Sequence, residues 1–180
     1  MSRPSLEAVT SFTAQVQSYL GSRYGDAWIT TRSDGTRLLN VGVVTPDSSD
    51  AATIASFAGQ FAADIQLVPV EYSLDQLATF AYQLTAALLR SPGYSTTPPL
   101  VQVDGSNHKV TSVGRSPKEN KVIIATGGLS KDSSTIPASI PTNIPSNAYR
   151  IDTANPAVAH TVVAHTVVTK SDVTRDYFPL

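Results

Sequence analysis

The chain contains no cysteine, so neither disulfide bonds nor thiolate chemistry is open to it. It is also poor in charge: Asp, Glu, Lys and Arg make up 15% of its 180 residues, and the formal net charge is −1. No long basic run occurs, which removes the electrostatic footprint of a nucleic-acid or anionic-membrane partner. No apolar run approaches the roughly 18 residues of a membrane-spanning helix. The start, Met1-Ser-Arg-Pro-Ser-Leu-Glu7, lacks the apolar core of a signal peptide. Export therefore requires a leader upstream of this sequence or another route; otherwise the chain is cytosolic.

What is present is a fold-capable sequence. Hydrophobic residues make up 41%, which excludes disorder throughout. The length suits one domain or two small lobes with a usable core. Low charge with abundant Ser, Thr, Ala, Pro and Gly fits an extracellular module better than a cytosolic enzyme.

Leu6, Val9, Phe12, Val16 and Leu20 recur at spacings of three and four, predicting a helix over 4–19 that Gly21 stops. Residues 27–31 and 38–44 read as strands joined by a Ser33-Asp34-Gly35 turn. Pro46-Asp-Ser-Ser-Asp50 offers a cap for a helix over 51–63, which Gly59 weakens by up to about 1 kcal/mol. Residues 65–70 form a strand, and Pro69 places it at an edge or an end. Ser73-Leu-Asp-Gln76 fits a capping box opening a helix over 74–90.

Ser91 to Pro99 is a linker by composition. A second hairpin follows: 109–114, a Ser116–Asn120 turn, and 121–126. Pro137, Pro141 and Pro145 exclude regular helix across 127–147, leaving room for a short turn between Lys131 and Thr135. Residues 148–152 supply a third strand. Ala159-His-Thr-Val-Val163 is repeated as Ala164-His-Thr-Val-Val168, and its β-branched density favours strand. The expectation is an α+β fold of two small lobes, each a short, mainly antiparallel sheet, with helices packed on the N-terminal one. Residues 1–90 form a helix plus ββαβα lobe, 91–99 the linker, 100–156 a hairpin lobe, and 157–180 a β-rich tail. The lobes echo each other: each has a hairpin, an intervening segment and a third strand.

Gly25, Ala27, Trp28, Ile29, Asp34 and Gly35, followed by the strand 38–44, then Tyr72, Ser73, Leu74 and Leu77, and finally Asn120 with 122–124, occur in a telling order. Over residues 25–152 this order resembles the pro-regions of secreted bacterial serine proteases of the alpha-lytic protease and streptogrisin type. The resemblance implies a secreted, non-enzymatic intramolecular chaperone and inhibitor whose partner is a chymotrypsin-like serine protease. It implies that the C-terminal sheet extends a sheet of the enzyme by backbone pairing, while the tail lies in the substrate cleft as a product-like strand. The partner-binding residues expected on that basis are Val113, Val122, Ile124, Val163, Val168, Tyr177, Phe178 and Leu180. The alternative is an assembly module forming homo-oligomers by exchange of the tail.

No catalytic, cofactor or metal constellation emerges. His160 and His165 stand five apart, on opposite faces of a strand, with no acid or Cys between them. They read as solvent-facing strand residues, and His108 as part of a polar turn. No Gly-Asp-Ser-Gly or Gly-x-Ser-x-Gly motif frames a nucleophile. Asp47, Asp50, Asp64, Glu71 and Asp75 read as caps and surface charges. Gly127-Gly128 is a turn signal without the Lys of a phosphate loop. Trp28 and Tyr72 read as packed aromatics, and Phe12, Phe57, Phe61 and Phe80 as lobe core.

Overall fold

The computed structural model of the protein describes residues 6–59, 64–89, 99–131 and 136–153. The chain is α+β and divides into two compact units, the first running up to Leu74 and the second starting at Asp75. The division therefore falls at the start of a helix, whereas the composition points to the Pro-rich stretch 91–99. No helix among the described residues is long and apolar enough to cross a membrane.

In the first unit α1 spans Leu6–Leu20. Its stripe of Val9, Phe12, Val16 and Leu20 is buried, the outcome expected of apolar residues at helical spacing. Gly21 adopts φ +53, a left-handed value that ends the helix and turns the chain through a short 3-10 segment, Gly21–Arg23. Strands β1 (Tyr24–Thr31) and β2 (Arg37–Val44) pair antiparallel, and β3 (Ile65–Val70) adds parallel to β2 in the order β1-β2-β3. Pro69, with no N–H to give, thus sits on an edge strand. Helix α2 (Asp50–Ala58) fills the crossover between β2 and β3. Its Ile54 and Ala58 join Phe12, Val16, Leu20, Tyr24, Val41 and Val43 in one core. Tyr19 and Phe57 meet edge to face at 5.8 Å against that cluster. Phe61 lies outside the described residues, and Phe80 is half-buried on α3.

Strand β1 bulges between Tyr24 and Ala27, with Asp26 at φ 97 and its Oδ1 accepting the Ala27 N–H at 2.8 Å. A side chain on Gly25 would bring Cβ to 2.3 Å from Val70 Cγ2 and 3.2 Å from the Gly42 carbonyl. Gly25 is therefore required by close approach across the sheet.

In the second unit, helix α3 (Leu74–Leu88, its first residue counted with unit one) begins directly after the buried Ser73, and buries Leu77, Leu84 and Leu88. Strands β4 (Leu100–Val103), β5 (Ser106–Ser116), β6 (Lys121–Leu129) and β7 (Tyr149–Asp152) form one sheet in chain order. The β4–β5 and β5–β6 pairs are antiparallel and β6–β7 is parallel. Both sheets are thus mixed: the first is one antiparallel hairpin plus a parallel third strand, the second two antiparallel pairs plus a parallel fourth strand. The Pro-rich stretch makes no regular helix over 136–145: Ile144 donates to the Pro141 carbonyl at 3.2 Å, and Ala138 to the Leu100 carbonyl at 2.8 Å. Residues 132–135 of the short turn expected between Lys131 and Thr135, and the repeat at 159–168, lie outside the described residues.

Candidate interaction surface

The hairpin β5–β6 was expected to carry the partner contacts, and its anatomy follows from register. Val113 pairs with Ile124, and Arg115 with Val122. Val113 is buried, and Val122 and Ile124 show no exposure. These three residues hold the inner face of the sheet and are not available as a contact surface in this fold. Residues directly opposite on neighbouring strands share a face and successive ones alternate. The other face of the hairpin is therefore built from Ser112, Gly114, Ser116, Lys121, Ile123 and Ala125, continued on β7 by Arg150 and Asp152. Val163, Val168, Tyr177, Phe178 and Leu180 lie outside the described residues, as do His160 and His165. His108 is half-buried on β5 opposite Val101 rather than in a solvated turn, and its Nδ1 is buried without a hydrogen-bond partner.

Charge at the hairpin is one-sided. Lys109, Arg115, Lys118 and Lys121 stand against a single acid within it, Glu119. Glu119 is engaged by Arg150 of β7 in a two-pronged pair, Nε–Oε2 at 3.1 Å and Nη2–Oε1 at 3.3 Å, the geometry that a planar guanidinium favours. Asp152 adds a 3.5 Å contact to the same guanidinium. Both ends of β7 are thereby tied to the sheet: Thr126 Oγ1 donates to the Asp152 carbonyl at 3.2 Å. Strand β7 is the last in the sheet order, so among the described residues no strand covers its far side.

Among the described residues a second cluster of coupled charges lies at the start of α2. Asp47 Oδ1 accepts the N–H groups of Ser49 (2.8 Å) and Asp50 (3.1 Å), while Asp50 Oδ2 accepts the Asp47 N–H at 2.8 Å. That reciprocity has the form of a capping box in the turn that leads into α2, whose N-cap residue Ser49 makes no side-chain cap hydrogen bond. Asp50 also receives Arg23 Nη1 (2.7 Å), Arg23 Nη2 (2.9 Å) and the Tyr19 hydroxyl (3.1 Å). Read from sequence as a cap or surface charge, Asp50 is in fact fully buried. The Arg23 hydrogen bonds, outweighing the opposing effect of burial, hold its carboxyl down to about 2. The Ser49 hydroxyl and N–H lower that of Asp47. This cluster ties the end of α1 to the start of α2. Among the described residues no three His, Cys, Asp or Glu side chains converge to hold a metal ion.

Two features escaped the sequence reading. Strand β4 falls in the hairpin lobe 100–156 but carries no strand assignment from sequence, although Asp104 (φ 49) and Gly105 (φ 77) form the two-residue turn that an Asp-Gly pair announces. The Glu119–Arg150 pair joins residues far apart in sequence, and no local signal marks it.

Trp28 stands opposite Asn40, whose Nδ2 donates to the Trp28 carbonyl (3.2 Å) and to Thr30 Oγ1 (2.7 Å). It is half-buried. No protein-family model matches the chain, and comparison with curated proteins finds none of significant similarity.

Proposed function

We propose that the chain is a prosegment-like module, non-enzymatic, that assists folding of a chymotrypsin-like serine protease and then inhibits it through its C-terminal sheet and tail. One observation carries the reading. The last described strand, β7, is an edge strand, and the chain runs on from Asp152 toward the apolar residues Tyr177, Phe178 and Leu180. A partner that extended this sheet by backbone pairing along β7 would lie on the strand after which the tail follows in sequence, which supports the reading. The echoed arrangement in each unit of an antiparallel hairpin flanked by a parallel last strand, and the sequence resemblance over 25–152, support the same reading. Acceleration of folding follows if the module binds the folding transition state of the enzyme more tightly than its unfolded chain.

The test is a titration of the purified chain into an active streptogrisin-type protease, following hydrolysis of a small chromogenic substrate. Saturable inhibition that weakens when residues after Asp172 are removed is the expected result. Undiminished hydrolysis with the chain intact refutes the reading. Strand exchange between copies takes its place if the intact chain then elutes as an oligomer and a chain ending at Asn155 as a monomer.

A further inference from the structure

Arg115 is the unexplained charge of the second unit. The register of β5 is regular from Ser112 to Ser116, so Arg115 shares the inner face with Val113 and lies opposite the fully buried Val122. Its Nη1 is buried and has no hydrogen-bond partner, and no ion pair involving Arg115 occurs among the described residues. A desolvated guanidinium donor without an acceptor is costly, and such groups in native proteins call for an explanation. Nearby charge sharpens the point. Lys118 and Lys121 are likewise without ion pairs among the described residues, and the one acid of the hairpin, Glu119, is already held by Arg150. The chain as a whole has a net charge of −1, so this excess of positive charge is local. Arg37 also has a buried, unpartnered Nη1, but it stands in the first unit, at the hairpin turn that contains the acidic Asp34.

We propose that Arg115, half-buried beside the hairpin turn, receives a carboxylate of the partner protease, with Lys118 of the turn and Lys121 on the opposite face adding to the local positive field. This rests on the protease-binding reading and names the chemistry of its contact. The planar fork of Arg matches a carboxylate with two parallel hydrogen bonds, which the ammonium of Lys does not reproduce. Exposed cations at the rim act mainly on the rate of encounter and its salt dependence.

The experiment measures inhibition of the streptogrisin-type protease by the full chain and by Arg115→Met, Arg115→Lys and Lys118→Ala/Lys121→Ala, with thermal melting of each free variant. Arg115→Met raises the inhibition constant at least about tenfold. Because its Nη1 has no partner in the free chain, its melting temperature is unchanged or higher. Arg115→Lys falls between, and the double Lys variant slows association more at low salt than at high salt. An Arg115→Met chain that inhibits within about twofold of the unaltered chain overturns the inference. So does a fall in melting of more than about 5 °C, roughly the effect of 1 kcal/mol in a unit of this size, since it assigns Arg115 a structural role. If the unaltered chain itself fails to inhibit, the protease-binding reading fails and this one with it, an outcome distinct from inhibition that is indifferent to Arg115.

Discussion

Asp50→Asn keeps the shape of the side chain and removes its charge, which makes it the sharpest probe of the first unit. The carboxylate accepts four hydrogen bonds, two from Arg23 and one each from Tyr19 and the Asp47 N–H. Asn offers one acceptor oxygen and turns an NH2 group toward donors. Hydrogen bonds to a charged group contribute about 1.5–3 kcal/mol each, but they are not additive within one cluster. Removing one partner of a buried pair costs about 3–5 kcal/mol. Arg23 retains 32% side-chain exposure and a second carboxylate, Asp47, at 3.6 Å, so water and Asp47 offset part of the loss. The expected destabilisation is about 2–4 kcal/mol, a fall of about 10–25 °C in melting for a unit of this size. The pH dependence has a definite sign. A carboxylate held below its ordinary value of about 3.9 stabilises the fold above that pH, and the contribution disappears as pH falls from about 4 through about 2. Asp47 and Asp34 are lowered too, and leave a residual slope of the same sign. Trp28, the sole tryptophan, lies in β1, so urea unfolding followed by its fluorescence reports the first unit. A loss below about 1 kcal/mol at pH 7, or an undiminished fall in stability between pH 4 and 2 in the variant, refutes the argument.

Gly25→Ala forces Cβ against Val70 Cγ2 and is expected to destabilise the first unit by about 1–3 kcal/mol. Val70→Ala in the same chain should restore part of that, and strictly additive losses in denaturant titrations would count against the close approach. Ile124→Ala removes a fully buried side chain at the centre of the second sheet, at about 2–5 kcal/mol. Far-UV dichroism melts should show the loss while Trp28 fluorescence reports an unchanged midpoint; a coupled shift in both signals would show that the units unfold together.

Much of the fold was legible because local chemistry and burial agree. The stripe in α1, the Asp-Gly turn after Thr31, Pro69 at an edge and the stop at Gly21 each rest on near neighbours in sequence. Helix α2 is shorter than its Ala-rich sequence predicts because Gly59 takes φ 55 and leaves the helix there. Strand β4 went unread because a four-residue strand between Pro99 and Asp104 offers too little alternation, and its turn was the only signal. The inner-face role of Val113, Val122 and Ile124 was not legible as such. β-branched strands look alike whether they line a core or a partner, and only register separates the two. The charge reading failed at Asp50 for a related reason, since its partner Arg23 is distant in sequence.

The parallel pairings also order events in time. Leu39 meets Ile65 in one unit and Val122 meets Tyr149 in the other, whereas the three hairpins close through short turns. Closing a long loop costs more entropy than closing a turn, and nonlocal pairing is the slow part of assembly. Strand β7 is therefore expected to lock onto a hairpin that already exists, and to let go before that hairpin does. Hydrogen exchange should find the amides of 149–152 opening ahead of those in β5 and β6. The strand from which the tail departs is in this sense a latch, the least committed piece of an otherwise formed sheet.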